Sequence, residues 1–134
     1  MRLFYFKVRK EGEKIMSIVE ERYSKWLNHE NLAPQYKPVL EAMNAEAKND
    51  AFYTTIEFGT AGMRGLLGPG TNRINIHTIR KATQGYANYI NENNGGKAGI
   101  AIGYDNRHMS KEFAFDCADL LAKNNIKSYV FESL

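Results

Sequence analysis

Apolar side chains recur at helical spacing in four stretches of this chain and at strand-like spacing in two. From Ser17, the residues Ile18, Val19, Tyr23, Trp26 and Leu27 fall on one stripe of a 3.6-residue helix. Ser17 and Glu20 form a capping-box pair, so a helix is expected to start there. Asn28–Ala33 breaks the rhythm. Pro34 suits the first turn of a second helix, predicted over roughly Pro34–Asn49, with Tyr36, Val39, Leu40 and Met43 presented together. A third helix is expected over His77–Asn91, where Ile76, Ile79, Thr83, Tyr86 and Ile90 mark the buried face and Asn75 is the candidate cap. Gly85 lies inside it and suggests close packing against a neighbour, since glycine otherwise weakens a helix. Asn91–Gly96 then stops it.

Ala98–Asp105 is a short apolar run between turn residues and predicts a buried strand. Asn106–Met109 turns the chain, and Ser110 is the expected cap of a fourth helix whose inner face carries Phe113, Cys117, Leu120 and Leu121. Cys117 is accordingly read as a small core side chain, not a nucleophile. K-N-N-I-K ends that helix, and Ser128–Leu134 begins a second strand. Strand, helix and strand in this order imply a right-handed crossover and a parallel pair. Open α/β sheets bind ligands beyond the carboxyl ends of their strands, which places the loop Gly103–Ser110 in a functional position. Asp105, Arg107 and His108 stand there, able to orient one another or a ligand. A parallel strand normally leads into a further connection, so a chain stopping at S-Y-V-F-E-S-L is expected to be truncated.

Between the second and third helices the pattern gives way to E-F-G-T-A-G-M-R-G-L-L-G-P-G-T-N-R-I-N, residues Glu57–Asn75. Five glycines (Gly59, Gly62, Gly65, Gly68, Gly70) fall within this stretch, together with Arg64, Arg73, Thr60 and Thr71. Glycine lets a ligand approach the backbone, and guanidinium groups among free N–H groups and hydroxyls suit a phosphate or carboxylate. The same composition also describes a tight turn whose arginines merely face water. Neither the P-loop spacing nor the dinucleotide fingerprint is present.

Bulk properties narrow the class. The 134 residues suffice for one domain with a real core, and 43% hydrophobic with 25% charged content is ordinary for a soluble globular protein. A single cysteine rules out an internal disulfide and fits a reducing cytosol. No apolar run is long enough to cross a bilayer, and the amino terminus lacks the form of a signal peptide. The net charge of +3 resides in residues 1–15, which alternate aromatic and basic side chains; the remainder is balanced. That arm reads as a loose or edge-pairing extension. Its rival reading is a basic arm that binds nucleic acid, salt-sensitively, with aromatics stacking on bases. Met16 stands as a possible alternative initiator. His29, His77 and His108 are too far apart for a metal site to be built with Cys117, so none is expected.

Taken in order, F-G-T-A-G-M-R-G, G-T-N-R, G-Y-D-N-R-H-M-S and Y-V-F-E-S-L resemble the α-D-phosphohexomutases. The likeness is greatest to the bacterial phosphoglucomutase/phosphomannomutase branch with an N-terminal helical extension. It covers Met16–Leu134 and leaves residues 1–15 outside. The resemblance implies a three-layer α/β/α mixed sheet, here an incomplete first domain preceded by that extension (residues 16–134). It also implies a cytoplasmic enzyme that interconverts hexose 1-phosphate and hexose 6-phosphate through a phosphoserine, Mg²⁺ and a bisphosphosugar, with glucose 1,6-bisphosphate as primer. By the match, Arg64 is the catalytic arginine beside the transferring phosphoryl group. Thr60 and Gly62 shape the same phosphate-binding turn, and Asp105 and Arg107 belong to a G-x-D-x-R segment near the cleft. The family's serine loop, metal-binding run and sugar-reading loops have no counterpart here. The fragment alone is therefore expected to be inactive, with a phosphosugar substrate and the missing C-terminal domains as its partners and neither nucleic acid nor membrane among them.

Overall fold

The computed structural model describes residues 15–131 apart from Ser17 and Asn94. The expected Ser17 cap and nearly all of the 1–15 arm therefore lie outside the described residues, as does the end of the second strand. The chain divides into two compact units, Met1–Asn75 and Ile76–Leu134.

In the first unit, α1 (residues 18–27) carries the expected stripe inward: Val19 and Tyr23 are buried, with Trp26 and Leu27 packed beside them. The single second helix expected from Pro34 to Asn49 is instead two helices, α2 (Tyr36–Glu41) and α3 (Ala45–Phe52). The break has a local cause. Asn44 adopts an extended backbone and its Oδ1 accepts the Ala47 N–H at 2.8 Å, which starts a new helix with Glu46 in its first turn. Pro34 stays outside both helices, and Pro38 occupies the first turn of α2, where no intrahelical N–H is needed. Of the positions expected on the inner side, Leu40 is buried but Val39 is 47% exposed.

Phe52, at the end of α3, is the centre of this core. Tyr23 and Trp26 meet its ring edge-on at 5.7 and 6.0 Å. The Tyr23 hydroxyl donates to the Leu40 carbonyl at 3.0 Å, and Arg22 Nη1 donates to the Phe52 carbonyl at 2.7 Å, so buried aromatics and helix ends are satisfied together. Lys48 lies 3.9 Å over the Tyr23 ring while also pairing with Glu20 at 3.4 Å.

In the second unit, α4 (Ile76–Glu92), β1 (Ile100–Ile102), α5 (Ser110–Lys123) and β2 (Ser128–Val130) follow the expected order. The two strands pair in parallel, Ile100 with Ser128, Ala101 with Tyr129 and Ile102 with Val130. The architecture is thus mixed α/β, with a two-stranded parallel sheet among the described residues. Ala87 and Ile90 of α4, Leu121 of α5 and Ile126 form the core, against which Ile100 and Ile102 pack. The strand expected to be wholly buried is half-buried: Ala101 and Tyr129 point the other way and are exposed. Tyr86 is 55% exposed, so it is not on the inner face of α4, where Thr78 and Ala87 are buried instead. Apart from the adjoining backbone of its own helix, no atom of the described residues lies within 4 Å of a Cβ placed on Gly85, which overturns the close-packing expectation.

Side chains tie α4 to α5. Arg80 grips both carboxylate oxygens of Asp116, and the amides of Gln84 and Asn124 bond reciprocally at 2.9 and 3.1 Å. Asn125 takes a left-handed conformation (φ 59°), and the amides of Asn125 and Ile126 reach back to the Ala122 and Leu121 carbonyls. This closes α5 as a Schellman motif, the physical content of K-N-N-I-K. Ser110 does not cap α5: Met109 precedes it in a left-handed conformation, and the Ser110 hydroxyl accepts from the Asp105 N–H at 3.1 Å.

Candidate functional site

Gly59 and Gly62 exchange both main-chain hydrogen bonds, at 3.2 and 2.9 Å, closing a two-residue turn over Thr60 and Ala61. Gly62 has φ 93°, a conformation that disfavours any side chain although open space surrounds it. Thr60 is exposed at the tip of the turn, and Arg64 follows it on the outgoing limb, also exposed. The turn opens into a groove of about 540 Å³, lined by residues of Tyr53–Glu57, by Gly59, Ala61 and Gly62, and by Arg64 and Asn72.

The rest of the glycine-rich stretch is structural. Its carboxyl half docks on the end of α3: the Asn72 N–H donates to the Ala51 carbonyl at 2.9 Å, and a Cβ on Gly70 would stand 2.6 Å from that same oxygen. Asn75 is fully buried and its Nδ2 donates to the Gly68 and Gly70 carbonyls, both at 2.9 Å. The Ile74 N–H donates to the Leu66 carbonyl at 2.8 Å and the Gly68 N–H to the Ile74 carbonyl at 3.1 Å, which couples this segment to the limb carrying Arg64. Thr71, read in the sequence as a potential anion donor, directs its hydroxyl to the Thr54 carbonyl at 2.5 Å.

Arg73 is likewise engaged. It pairs with the Asp50 carboxylate and donates to the Asp50 and Asn72 carbonyls at 3.1 and 3.0 Å. Among the described arginines, Arg22, Arg73, Arg80 and Arg107 all have protein acceptors, whereas Arg64 has no hydrogen-bond or ion-pair partner among the described residues. Its guanidinium lines the groove and its five donors have no acceptor among the described residues.

In the second unit, Asp105 and Arg107 stand in the loop after β1. Arg107 Nε donates to Asp105 Oδ2 at 2.7 Å, and the Arg107 N–H donates to Oδ1 at 3.1 Å. The backbone N–H of Arg107, supported by the Ser110 hydroxyl and the Arg107 guanidinium, holds the Asp105 carboxyl below its ordinary range. These residues orient each other. His108 is exposed at the same turn. Thr60 and Gly62 therefore lie in one turn with Arg64 on the limb that leaves it, and Asp105 and Arg107 pair with each other in the loop after β1 of the second unit. Sequence reading missed Thr54–Ile56 and Asn72 as groove residues, because no local pattern announces a wall assembled by contacts between distant positions.

Half-buried Cys117 contacts the Thr83 hydroxyl at 3.1 Å; burial raises its thiol pKa, the Thr83 hydrogen bond opposes this, and nearby Asp116 adds to the rise. That agrees with its reading as a packing residue. No group of three His, Cys, Asp or Glu side chains among the described residues is placed to hold a metal ion. No helix among them is long and apolar enough to cross a membrane.

Comparison with known proteins bears on this turn directly. The family model described as phosphoglucomutase/phosphomannomutase, alpha/beta/alpha domain I, matches residues 55–134. A phosphoglucomutase of Staphylococcus epidermidis is 38% identical over 97 residues, covering 72% of this chain and 18% of that protein. A phosphoglucomutase of Staphylococcus saprophyticus is 35% identical, covering 81% and 19%, respectively. A probable phosphoribomutase of Schizosaccharomyces pombe is 30% identical over 122 residues, covering 87% of this chain and 21% of that protein. The chain thus spans about a fifth of the length of these relatives. No solved structure matches it.

Proposed function

Because the chain belongs to the phosphoglucomutase/phosphomannomutase family, through its domain I, we propose that it contributes the phosphoryl-binding turn of an enzyme that interconverts sugar 1-phosphates and sugar 6-phosphates. The observation that carries this reading is Arg64: an exposed guanidinium on a glycine hairpin, lining a groove, with every other described arginine already engaged. In this reading a phosphoserine and a bisphosphosugar intermediate carry the phosphoryl group, with glucose 1,6-bisphosphate as primer. In the same reading the first-domain fold is the three-layer α/β/α sheet, and the helices before the glycine-rich stretch form its N-terminal extension.

Phosphoryl transfer passes through a loose transition state in which charge spreads over the equatorial oxygens. A planar, permanently charged fork held on a short hairpin suits those oxygens, and it needs little reorganisation when charge builds. Gly62 sets the hairpin's geometry and Thr60 places a hydroxyl at its tip. Arg107 has a subordinate part, since a phosphate must compete with Asp105 for its guanidinium. The described residues offer no ligand set for Mg²⁺. In this reading the ion is held by other residues of the enzyme. A cytoplasmic location and a phosphosugar substrate belong to the same proposal.

The test uses the full-length enzyme carrying this domain, in a coupled assay with glucose 1-phosphate, Mg²⁺ and a bisphosphate primer. Arg64→Ala is expected to lower the rate on the order of 10²-fold, the cost of one preorganised donor. Arg64→Lys restores it only in part, because a point charge does not reproduce the two-pronged contact. Near-normal turnover by Arg64→Ala, or loss only through unfolding, makes Arg64 structural and overturns the proposal. The 134-residue chain alone is expected to show no turnover in the same assay. The fission-yeast relative's name favours ribose 1-phosphate as a second substrate, to be run in parallel.

A further inference from the structure

We infer that Thr71 is a positioning residue for the groove, acting through residues 54–56; the inference rests on the reading of that groove as the phosphoryl site. Thr71 touches the Thr54–Ile56 segment at two points. Its hydroxyl donates to the Thr54 carbonyl at 2.5 Å, and its own carbonyl accepts the Ile56 N–H at 2.8 Å. Thr54, Thr55 and Ile56 line the groove with Arg64, whereas Thr71 does not. The clamp therefore fixes a wall of the site from behind.

Thr71 is itself anchored. The next residue, Asn72, donates its N–H to the Ala51 carbonyl at 2.9 Å and its Nδ2 to the Asp50 carbonyl at 3.1 Å. Arg73 then holds Asp50, and Ile74 bonds Leu66 on the limb after Arg64. Residues 71–74 thus form a strut. One end sets the wall and the other sets the arginine, and the spacing between them depends on both. The hydroxyl is the part of this arrangement that belongs to the Thr71 side chain, and an oxygen at γ is its only chemical requirement. Valine has the same shape and no donor; serine keeps the donor and drops a methyl group.

Two measurements on Thr71→Val and Thr71→Ser test this. In the 134-residue chain, amide hydrogen exchange at Ile56 should speed up on the order of 10-fold in Thr71→Val, because losing one contact of the pair loosens the other, and stay close to wild type in Thr71→Ser. In the full-length enzyme, Thr71→Val should lower kcat on the order of 10-fold with KM within about two-fold, since a displaced wall misaligns the reacting groups. Thr71→Ser should recover most of kcat. Both assays are run well below the melting temperature of each variant, where a merely structural role leaves kcat unchanged. Wild-type kcat and Ile56 exchange in Thr71→Val overturn the inference, as does a Thr71→Ser loss equal to that of Thr71→Val. Arg64→Ala is assayed alongside. If it is fully active, the phosphoryl-site reading fails; if it is impaired while Thr71→Val is normal, the positioning role alone fails.

Discussion

Arg73 holds Asp50 twice, by its carboxylate and by its main-chain carbonyl, whereas Arg64, nine residues earlier on the same glycine-rich stretch, binds no described residue. Two arginines that look alike in sequence therefore have opposite duties. The Arg73 side chain is only 13% exposed although its Asp50 partner is 60% exposed, so its loss removes packing together with the bonds to Asp50 and Asn72. Arg73→Ala is expected to destabilise the protein by about 1.5–3 kcal/mol, the range for hydrogen bonds to a charged group. Arg64→Ala should stay within about 0.5 kcal/mol, as for a surface change that supports no core. Urea denaturation of the two variants checks the contrast, and equal losses would remove the distinction.

Two glycines give opposite signs. Gly70 has φ 135°, and a Cβ there would stand 2.6 Å from the Ala51 carbonyl oxygen, a backbone atom without freedom to move aside. Gly70→Ala is expected to cost at least about 2 kcal/mol, since strain and overlap act together. Gly85 is helical, exposed and surrounded by open space. Gly85→Ala should stabilise by about 0.5–1 kcal/mol through helix propensity and a less flexible unfolded chain. Thermal melts of both variants decide the matter; a destabilised Gly85→Ala contradicts the open surroundings of that helix face.

Asp105 predicts a pH dependence of stability. Its folded-state pKa is lowered, first by the Arg107 backbone N–H and then by the Ser110 hydroxyl and the Arg107 guanidinium. The ionised form is favoured by folding, so the contribution is fully present above the unfolded-state pKa and disappears as pH falls through the lowered folded-state value. Asp105→Ala should therefore be less stable than wild type at neutral pH, with the gap narrowing in acid. Denaturation curves at pH 7 and at successively lower pH follow the gap, and a constant difference would contradict the assignment.

Cys117 predicts slow thiol chemistry. Burial raises its pKa; a bond from Thr83 opposes the rise and nearby Asp116 adds to it, so at pH 8 less thiolate is present than for an ordinary cysteine. Alkylation by iodoacetamide should be slower than that of a free thiol and should rise with pH to a midpoint above the ordinary thiol range. Urea should abolish the protection. Fast labelling in native buffer would show that the side chain is neither buried nor held.

Local signals carried the second unit. The 3.6-residue rhythm placed α4 within one residue at each end, and the strand–helix–strand order gave the parallel pair. What failed were the inferences about faces and partners. Tyr86 fits the apolar rhythm of α4 yet is exposed, because a large ring at the edge of a stripe keeps its hydroxyl in water. The break before α3 was visible in Asn44 and Glu46 but hidden beneath continuous apolar spacing. In the candidate site, the Arg64 hairpin announced itself through its glycines. The duties of Thr71, Asn72 and Arg73 did not, because their acceptors lie 17 to 23 residues away on the end of α3 and the segment after it.

The strut of residues 71–74, together with Asn75 after it, has a consequence for how this region tolerates change. Its side chains are the donors, and most acceptors are main-chain carbonyls: those of Asp50, Thr54, Gly68 and Gly70. A carbonyl is present whatever residue carries it. Amino-acid replacement at 54 thus leaves its acceptor in place, while replacement at 71, 72 or 75 by a side chain without the matching donor removes the bond. A saturation library across residues 50–75, scored for folding, should therefore be lopsided, permissive at position 54 and intolerant at the donors. Gly70 is the exception on the acceptor side, since it is fixed by space and φ, not by its oxygen.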